Sequence, residues 1–312
     1  MENIINEEQL EKMRRKAKKF DKIVTIMSVI SFPIYAWIFY VIMVQKEKLC
    51  VLFIAKLITV SAILSIGTFM LLWIIIIKNI YDKFNETFKS KYVLQTINKI
   101  NGFDDLRYYQ KNGFSWDDIR NMTVVDCGDK KYFENEDLLF GVYENVRFKI
   151  SDVTTKKIVH RNNKKRIKEI FSGQVLCLFQ FDDIKISKGY LQIFEKEFLF
   201  SMGGWKAEHK IHTENETFNK RFNVYASDEH NAYYILTPQR IEKIMYFADI
   251  VNGQISLVFY DKNLFVAVRG ESIFDANINE PVVNQTTKIT KDAKFIQVAK
   301  EILKDFCHNI EK

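Results

Sequence analysis

Two histidines flanked by glutamates are the residues in this sequence best suited to bind a metal ion. His209 and His212 are three positions apart, and Glu208 and Glu214 lie on either side of them. Imidazole and carboxylate groups bind zinc, but this spacing lacks the helical HExxH context in which two histidines converge on one ion. On a strand or a loop the two rings need not converge. We therefore predict no metal site and no cofactor.

The rest of the chain contains no recognisable catalytic signature. There is no phosphate-binding glycine loop, nucleophile elbow or dinucleotide fingerprint. The cysteines at positions 50, 127, 177 and 307 lack CxxC spacing, so neither a zinc site nor a disulfide framework is indicated. We predict no catalytic residues. The alternative is a membrane-associated enzyme or small-ligand sensor whose site is assembled from distant groups such as Asp228, His209 or His212.

A dense run of basic residues is the most informative local feature. Seven of them fall within thirteen positions, with no acid among them. One interpretation is a solvated loop between strands, and the other is contact with anionic phospholipid, where each basic residue contributes about 1 kcal/mol. No aromatic platform interleaves with the charges, so nucleic-acid binding is not predicted. The residues are Lys156, Lys157, Arg161, Lys164, Lys165, Arg166 and Lys168.

The net charge of +7 belongs to the N-terminal third of the chain. Residues 1–101 hold 15 Lys/Arg and 8 Asp/Glu, a difference of +7, while the 31 Lys/Arg and 31 Asp/Glu that follow cancel. Basic residues that flank apolar helices orient them and meet anionic lipid. The charge therefore indicates a membrane surface near the N-terminus and an electrically balanced domain after it.

Two uncharged apolar runs predict a transmembrane hairpin over residues 23–78. The spans themselves cover residues 23–45 and 57–77, and a helix needs about 20 apolar residues to cross a hydrocarbon core. Soluble helices rarely lack a polar face for so long. A signal peptide is not predicted, because the first run exceeds an apolar core of 7–15 residues and no small-residue cleavage site follows it.

The basic residues around these spans predict that both termini are cytoplasmic. Seven Lys/Arg precede the first span and five follow the second, whereas Lys46, Lys48 and Lys56 are the basic residues between them. Residues 1–22 form a basic amphipathic segment, which is either a helix lying on anionic lipid or a solvated extension of the first span. The residues predicted to contact the membrane surface are Arg14, Arg15, Lys18 and Lys19.

The remaining chain is predicted to be a juxtamembrane helix, residues 79–101, and a cytoplasmic α+β domain, residues 102–312. Alternating apolar residues predict strands on a mainly antiparallel sheet, and helices are expected from Thr237-Pro238 and from about Lys291. Residues 190–194 are expected to return from the preceding strand. The predicted strands are 138–143, 146–150, 171–181, 190–194, a strand around Val224, 233–236, 255–260 and 264–268.

Four segments of the domain resemble domain-of-unknown-function family 3137, a family of uncharacterised bacterial membrane proteins. They are residues 136–152 (EDLLFGVYENVRFKISD), 170–173 (IFSG), 222–228 (FNVYASD) and 234–238 (YILTP). The likeness covers roughly residues 80–280, and an N-terminal membrane hairpin suits the family. The resemblance implies architecture alone, because the family has no established activity. Gly141 and Gly173 are expected at close approaches or bulges, and Asp228 is expected to hold a turn before a strand.

These observations favour a membrane-anchored cytoplasmic binding or scaffold module over an enzyme. Its expected partners are the lipid bilayer, anionic phospholipid at the basic run, and an unidentified membrane or cytoplasmic protein at an exposed sheet edge. No nucleic acid is expected.

Overall fold

The structure is a computed structural model that describes residues 5–44, 51–161, 164–179, 190–201, 209–251, 253–270, 272 and 274–308. The chain divides into two compact units. Unit 1 comprises Met1–Tyr92 and Asp275–Gln285, and unit 2 comprises Val93–Phe274 and Thr286–Lys312.

Unit 1 is built on two long apolar helices. Helix α1, Glu7–Val44, is continuous through Pro33, so residues 7–22 of the basic segment extend the helix of the first apolar run. Helix α2, Val51–Leu72, passes through a π-helical turn, Trp73–Ile77, into α3, Lys78–Thr87. A second π-helical turn, Phe88–Val93, leads into α4, Leu94–Asn98. The residues predicted to join the two spans, 45–50, lie outside the described residues.

Unit 2 is an antiparallel sheet with short helices between its strands. In the described chain nine strands lie in the order β1-β2-β3-β4-β9-β8-β5-β7-β6, which confirms the predicted α+β class. The strands are β1 (Phe103–Tyr109), β2 (Glu134–Tyr143), β3 (Val146–Arg161), β4 (Lys164–Leu178), β5 (Tyr190–Glu195), β6 (His209–Ile211), β7 (Phe222–Ala226), β8 (Gln254–Tyr260) and β9 (Asn263–Arg269). The helices are α5 (Trp116–Met122), α6 (Glu216–Arg221), α7 (Glu229–Ile235), α8 (Pro238–Ile250) and α9 (Val282–His308), with 3-10 turns at Lys130–Tyr132 and Lys196–Ser201.

Two-residue turns with positive φ close both predicted hairpins. Glu144 and Asn145 have φ of 43° and 69° between β2 and β3, and Asp261 and Lys262 have 48° and 62° between β8 and β9. Positive φ at both central residues is the type I′ geometry, whose twist matches that of paired strands. Both hairpin predictions are confirmed.

The core of unit 2 lies on both faces of the sheet. Phe171, Val175 and Cys177 of β4 belong to one buried apolar cluster, which also contains Ile119 of α5. Leu176 is also buried and points to the opposite face, because neighbouring strand residues alternate. Both faces of the central strands are therefore covered.

Close backbone approaches explain the two glycines singled out from the sequence. A Cβ on Gly173 would lie 2.1 Å from the carbonyl oxygen of Val268, and one on Gly141 would lie 2.7 Å from Leu106 Cδ2. Neither position has room for a side chain. The prediction of close approach is confirmed for both.

Several local predictions were wrong. The basic run lies on strands β3 and β4 rather than in a loop. Residues 233–235 belong to helix α7, so Asp228 precedes a helix and not a strand. Strand β5 pairs with β7 and β8 instead of returning along β4. Helix α9 begins at Val282, nine residues before the predicted start.

Strand β1 and helix α5 were not predicted. A register shift between Asp104 and Arg107 interrupts β1, and Asp105 has φ of 49°, so the strand shows no regular alternation in the sequence. Helix α5 has only seven residues. Its signal is a capping box, in which the Ser115 and Asp118 side chains each accept from the other's backbone N–H.

Candidate functional site

The outer surface of the α1–α2 hairpin in unit 1 is almost entirely apolar. Only 6% of the most apolar 18-residue stretch of the first helix is buried in the chain, and 11% of that of the second. A core helix of a soluble protein of the same composition would be mostly covered. The exposed large apolar side chains include Ile26, Val29, Ile30, Trp37, Ile63, Ile66, Met70, Leu71, Trp73 and Ile75.

Several hydroxyl groups lie between the two helices, whereas the exposed hydroxyls of Thr25 and Thr59 donate to carbonyl oxygens of their own helices. The Ser65 hydroxyl donates to the carbonyl oxygen of Ser28 at 2.7 Å and lies 3.0 Å from the Ser31 hydroxyl. The Tyr35 and Thr68 hydroxyls are 2.7 Å apart. Small hydroxyl residues at a helix–helix interface are typical of membrane helices, where packing and interhelical hydrogen bonds drive association. The hydrogen bonds between these two helices thus involve hydroxyl groups at their interface, while the large side chains on the outer surface are mainly apolar.

The four residues predicted to contact the membrane surface differ in what they touch. The Arg14 side chain is 9% exposed; it donates to the Glu11 carboxylate and, at 2.7 Å, to the carbonyl oxygen of Ile278. Arg15 also donates to Glu11, but 75% of its side chain is exposed. Lys18 and Lys19 are exposed. Lipid contact stays a prediction for all four residues. The Arg14 side chain already forms hydrogen bonds within unit 1.

A short segment from the far end of the chain, Asp275–Gln285, belongs to unit 1 and is held there by hydrogen bonds. The Glu11 carboxylate accepts from the Val282 N–H at 3.1 Å. The Asn85 side chain accepts from the Ala276 N–H at 3.0 Å, and the buried Lys89 ammonium lies 2.6 Å from the Asp275 carboxylate. Contacts from α1, α3 and the following π-helical turn thus hold this segment.

In unit 2 the ends of β3 and β4 project beyond the sheet as a two-stranded ribbon. Strand β2 pairs with β3 only as far as Thr154, and β9 pairs with β4 only from Gly173. Beyond those points β3 and β4 pair with each other up to Arg161 and Lys164. We call residues 156–161 and 164–169 the ribbon; they include all seven residues of the basic run.

The loop before β2 braces the base of the ribbon. The Asp129 N–H donates to the carbonyl oxygen of Lys156 at 2.9 Å, and its carboxylate accepts from the Ile158 N–H at 2.8 Å. Lys156 forms an ion pair with Glu134 at 2.7 Å, and Lys157 forms one with Asp126 at 3.0 Å. Two of the seven basic residues are therefore neutralised by acids of unit 2.

The ribbon has two unlike faces, because opposite residues in an antiparallel pair share a side and neighbours alternate. Lys157 lies opposite Lys168, and Val159 lies opposite Arg166, with Lys164 two positions further along β4. These five residues define the cationic face. Lys164, Arg166 and Lys168 are exposed, and none of the residues that the structure describes forms an ion pair with them. Arg161 pairs in register with Lys164, and its side chain lies outside the described set.

The opposite side of the ribbon carries mixed chemistry. Ile158 lies opposite Ile167, and both are exposed. His160 lies opposite Lys165 and Lys156 lies opposite Glu169 on the same side. This isoleucine face combines an apolar pair with an acid and a neutralised lysine, so its charge density is lower than that of the cationic face.

Unit 2 also contains an open cavity of about 270 Å³ beside α5 and the β8–β9 turn. Its polar lining includes Asp118, Lys149 and Asp261, and the Lys149 ammonium lies 5.4 Å from the centre of the Phe179 ring. Cys177 lines its floor; burial raises the pKa of this thiol to about 12, which keeps it protonated and unreactive at neutral pH. None of the three residues suggested from the sequence, Asp228, His209 and His212, lines this cavity.

The histidine pair does not form a metal site in the part of the chain that is described. His209 lies on β6 and His212 follows that strand, and both are exposed. No group of three or more His, Cys, Asp or Glu among the described residues could hold a metal ion. Glu208 lies outside those residues.

The described residues thus define an α+β protein with two helices long and apolar enough to cross a membrane. Residues 167–307 match the model of a family described as Protein of unknown function (DUF3137). The match spans less than half of the chain and includes three of the four segments that carried the resemblance, while residues 136–152 precede it. It confirms the likeness to a domain-of-unknown-function family over that range. No curated protein and no solved structure shows a significant match.

Proposed function

We propose that this protein is a membrane-anchored binding or scaffold module, in which the α1–α2 hairpin spans the bilayer and unit 2 recognises a partner. The observation that carries the anchor is the arrangement of unit 1, with alkyl and indole side chains on the outer surface and interhelical hydrogen bonds between hydroxyls at the interface. In water such a surface would favour aggregation. Among the acyl chains of a bilayer the same apolar surface is stable without being buried by other protein groups.

The distribution of basic residues supports cytoplasmic termini in a cell membrane crossed twice. Basic flanks stay on the cytoplasmic side, and they outnumber the lysines of the connection by a wide margin. A bacterial cell membrane fits the resemblance stated above. Unit 2 would then work at the cytoplasmic face, where its tether raises its effective concentration toward membrane partners.

Fractionation and reporter fusions test the anchor and its orientation. We expect the full-length chain to sediment with membranes from a detergent-free lysate, to resist carbonate extraction, and to be released by detergent. A reporter fused after Lys312 should be active in the cytoplasm. Recovery of the chain in the supernatant contradicts the anchor, and strong activity of an exported reporter at the same position contradicts the orientation alone.

Crosslinking in intact cells tests the binding role. The full-length chain should capture a protein or lipid that a control ending at residue 101, which keeps the hairpin but lacks most of unit 2 and the Asp275–Gln285 segment, does not capture. Identical captured sets from the two chains would contradict a binding role for unit 2.

A small-ligand sensor or enzyme is the second candidate, and the open cavity favours it. Ligand pockets combine apolar walls with a few polar groups, and this cavity sets Phe114 and Phe265 beside Lys149 and Asp118. A metabolite that raises the melting temperature of the full-length protein, with the shift lost in Lys149→Ala, would support this candidate. The absence of any such shift across a broad metabolite panel would count against it.

A further inference from the structure

From the geometry of the ribbon we infer that its cationic face docks flat on an anionic phospholipid surface, as a second membrane contact for unit 2. The inference rests on the proposed membrane anchor, since the tether keeps the ribbon close to a bilayer. It assigns the contact to Lys164, Arg166 and Lys168, a subset of the basic run.

Three features of the ribbon carry this inference. Strand geometry spaces Lys164, Arg166 and Lys168 about 7 Å apart on one side, so all three can meet one flat surface together. Neither strand has another sheet partner there, so the ribbon projects beyond the sheet, and the three side chains are exposed on its face. Their exposed charges are not neutralised by any acid in the described chain. A row of uncompensated cations on a projecting two-stranded ribbon suits a planar array of phosphates.

The ion pair at the base of the ribbon reduces the positive charge of the cationic face. Lys157 belongs to the cationic face, but its charge is compensated by Asp126, 3.0 Å away. The Asp126 side chain also accepts the Gly128 N–H at 3.0 Å. Asp126→Asn keeps a carbonyl acceptor for that bond and removes the negative charge. It should therefore add one uncompensated cation to the face and strengthen docking.

Fluorescence resonance energy transfer between the ribbon and the lipid headgroups, measured with the full-length chain in nanodiscs, tests the inference. A donor dye is attached at His160→Cys, on the isoleucine face, and an acceptor is carried by lipid headgroups. Cys50, Cys127 and Cys307 are replaced by serine. Cys177 is retained, because its burial and raised pKa protect it from labelling. We expect more transfer with about 30% anionic lipid than with neutral lipid alone, and a decline as salt is added.

Matched variants identify the face responsible. About 1 kcal/mol for each basic residue corresponds to about a fivefold change in the ratio of docked to undocked protein. Arg166→Gln should lower that ratio about fivefold, whereas Lys165→Gln, its exposed neighbour on the other face, should change it less than twofold. The triple variant Lys164→Gln/Arg166→Gln/Lys168→Gln should lower it about a hundredfold, and Asp126→Asn should raise it up to fivefold.

Four results would overturn the inference that the cationic face docks on anionic lipid. Equal transfer in neutral and anionic nanodiscs overturns the inference, and so do equal losses for Arg166→Gln and Lys165→Gln, which would indicate net charge without a preferred face. Arg166→Lys keeps the charge and should retain docking, so a loss there would also overturn it. A chain that does not enter nanodiscs at all removes the anchor as well, and this failure is visible before transfer is measured.

Discussion

Replacing Glu11 by glutamine should release the segment Asp275–Gln285 from the N-terminal helix. The Glu11 carboxylate accepts from both Arg14 and Arg15, at 2.7–2.9 Å, and from the Val282 N–H at 3.1 Å. Arg14 in turn donates to Ile278. The substitution leaves a nearly buried guanidinium without its counter-charge, and removal of one partner of a buried pair is strongly destabilising.

The pKa of Glu11 gives the size of the effect. The hydrogen bond from Arg14 is the largest influence, and with Arg15 and the Val282 N–H it outweighs desolvation, lowering the pKa of Glu11 from 4.5 to about 2. Because 1.36 kcal/mol corresponds to one pKa unit, the ionised carboxylate stabilises the folded arrangement by about 3 kcal/mol. Its side chain is 19% exposed, so solvent screening is modest. About 3 kcal/mol corresponds to roughly a hundredfold change in a local opening equilibrium.

Hydrogen exchange of the full-length protein in micelles measures this opening. The Val282 amide, which donates to Glu11, should exchange about a hundredfold faster in Glu11→Gln than in the unchanged chain. Glu8→Gln, at an exposed position of the same helix, is the matched control and should leave exchange unchanged. Unaltered protection in Glu11→Gln would refute the assignment of this carboxylate as the main support of the segment.

The same pKa shift fixes the direction of the pH dependence. A carboxylate whose folded pKa is lowered contributes stability that is fully present above its unfolded pKa of 4.5. That contribution is lost as pH falls through about 2. Protection of the segment, corrected for intrinsic exchange, should therefore decline between about pH 4.5 and pH 2 in the unchanged chain and stay flat in Glu11→Gln.

Three further outcomes are expected. Tyr35→Phe removes the hydroxyl 2.7 Å from Thr68 and should weaken helix pairing by about 0.6 kcal/mol in mixed-micelle unfolding; a stabilised hairpin would contradict it. Lys262→Gly relieves a left-handed residue at φ 62° and should stabilise unit 2 by about 1 kcal/mol in urea titration of the full-length protein; a lower midpoint would contradict it. The Cys177 thiol, whose pKa burial raises to about 12, should resist alkylation at pH 8 until the protein is unfolded, as mass spectrometry can show; rapid labelling of the folded chain would contradict it.

The features predicted correctly from the sequence are those that local residues decide. The β2–β3 hairpin follows from alternation around Glu144-Asn145, and the start of α8 follows from Thr237-Pro238. Thr237 occupies the N-cap position without a side-chain hydrogen bond, so proline at the first helical position is the stronger signal there. Backbone preference and periodicity act over a few residues, and a sequence displays them directly.

The features missed or misassigned depend on distant parts of the chain. Strand β5 pairs with β7 and β8, and nothing in its own sequence distinguishes those partners from β4. Thr286, Thr287 and Ile289 weaken the helical signal of α9, because β-branched residues favour strands. The packing of Asp275–Gln285 in unit 1 was not predicted for the same reason. It depends on hydrogen bonds to Asn85 and Glu11, which are 191 and 271 positions away from their partners in the sequence.

The ribbon shows why a run of charges was mistaken for a loop. A half-buried strand alternates apolar and polar residues, but a projecting ribbon has no buried face, so both sides of β3 and β4 carry basic residues there. The remaining trace of periodicity is Ile158, which follows Lys157, and Ile167, which lies between Arg166 and Lys168. Pairing between the strands replaces burial as the source of order, and it can be recognised only when both strands are seen together.

The length and apolar composition of the two runs predict membrane helices, although the core helix of a soluble protein can meet the same criteria. The directions in which the hydroxyl and alkyl side chains point give a physical basis for distinguishing a membrane helix from a buried one. In unit 2 the alkyl groups of β4 point into the protein on both faces, whereas in unit 1 Ser65 and Thr68 point toward the partner helix and Ile63 and Ile66 point outward. Alkyl groups are poorly solvated by water, and hydroxyl groups are poorly solvated by hydrocarbon. The alkyl groups buried in the sheet therefore favour water around unit 2, and the hydroxyls between the helices favour hydrocarbon around the hairpin.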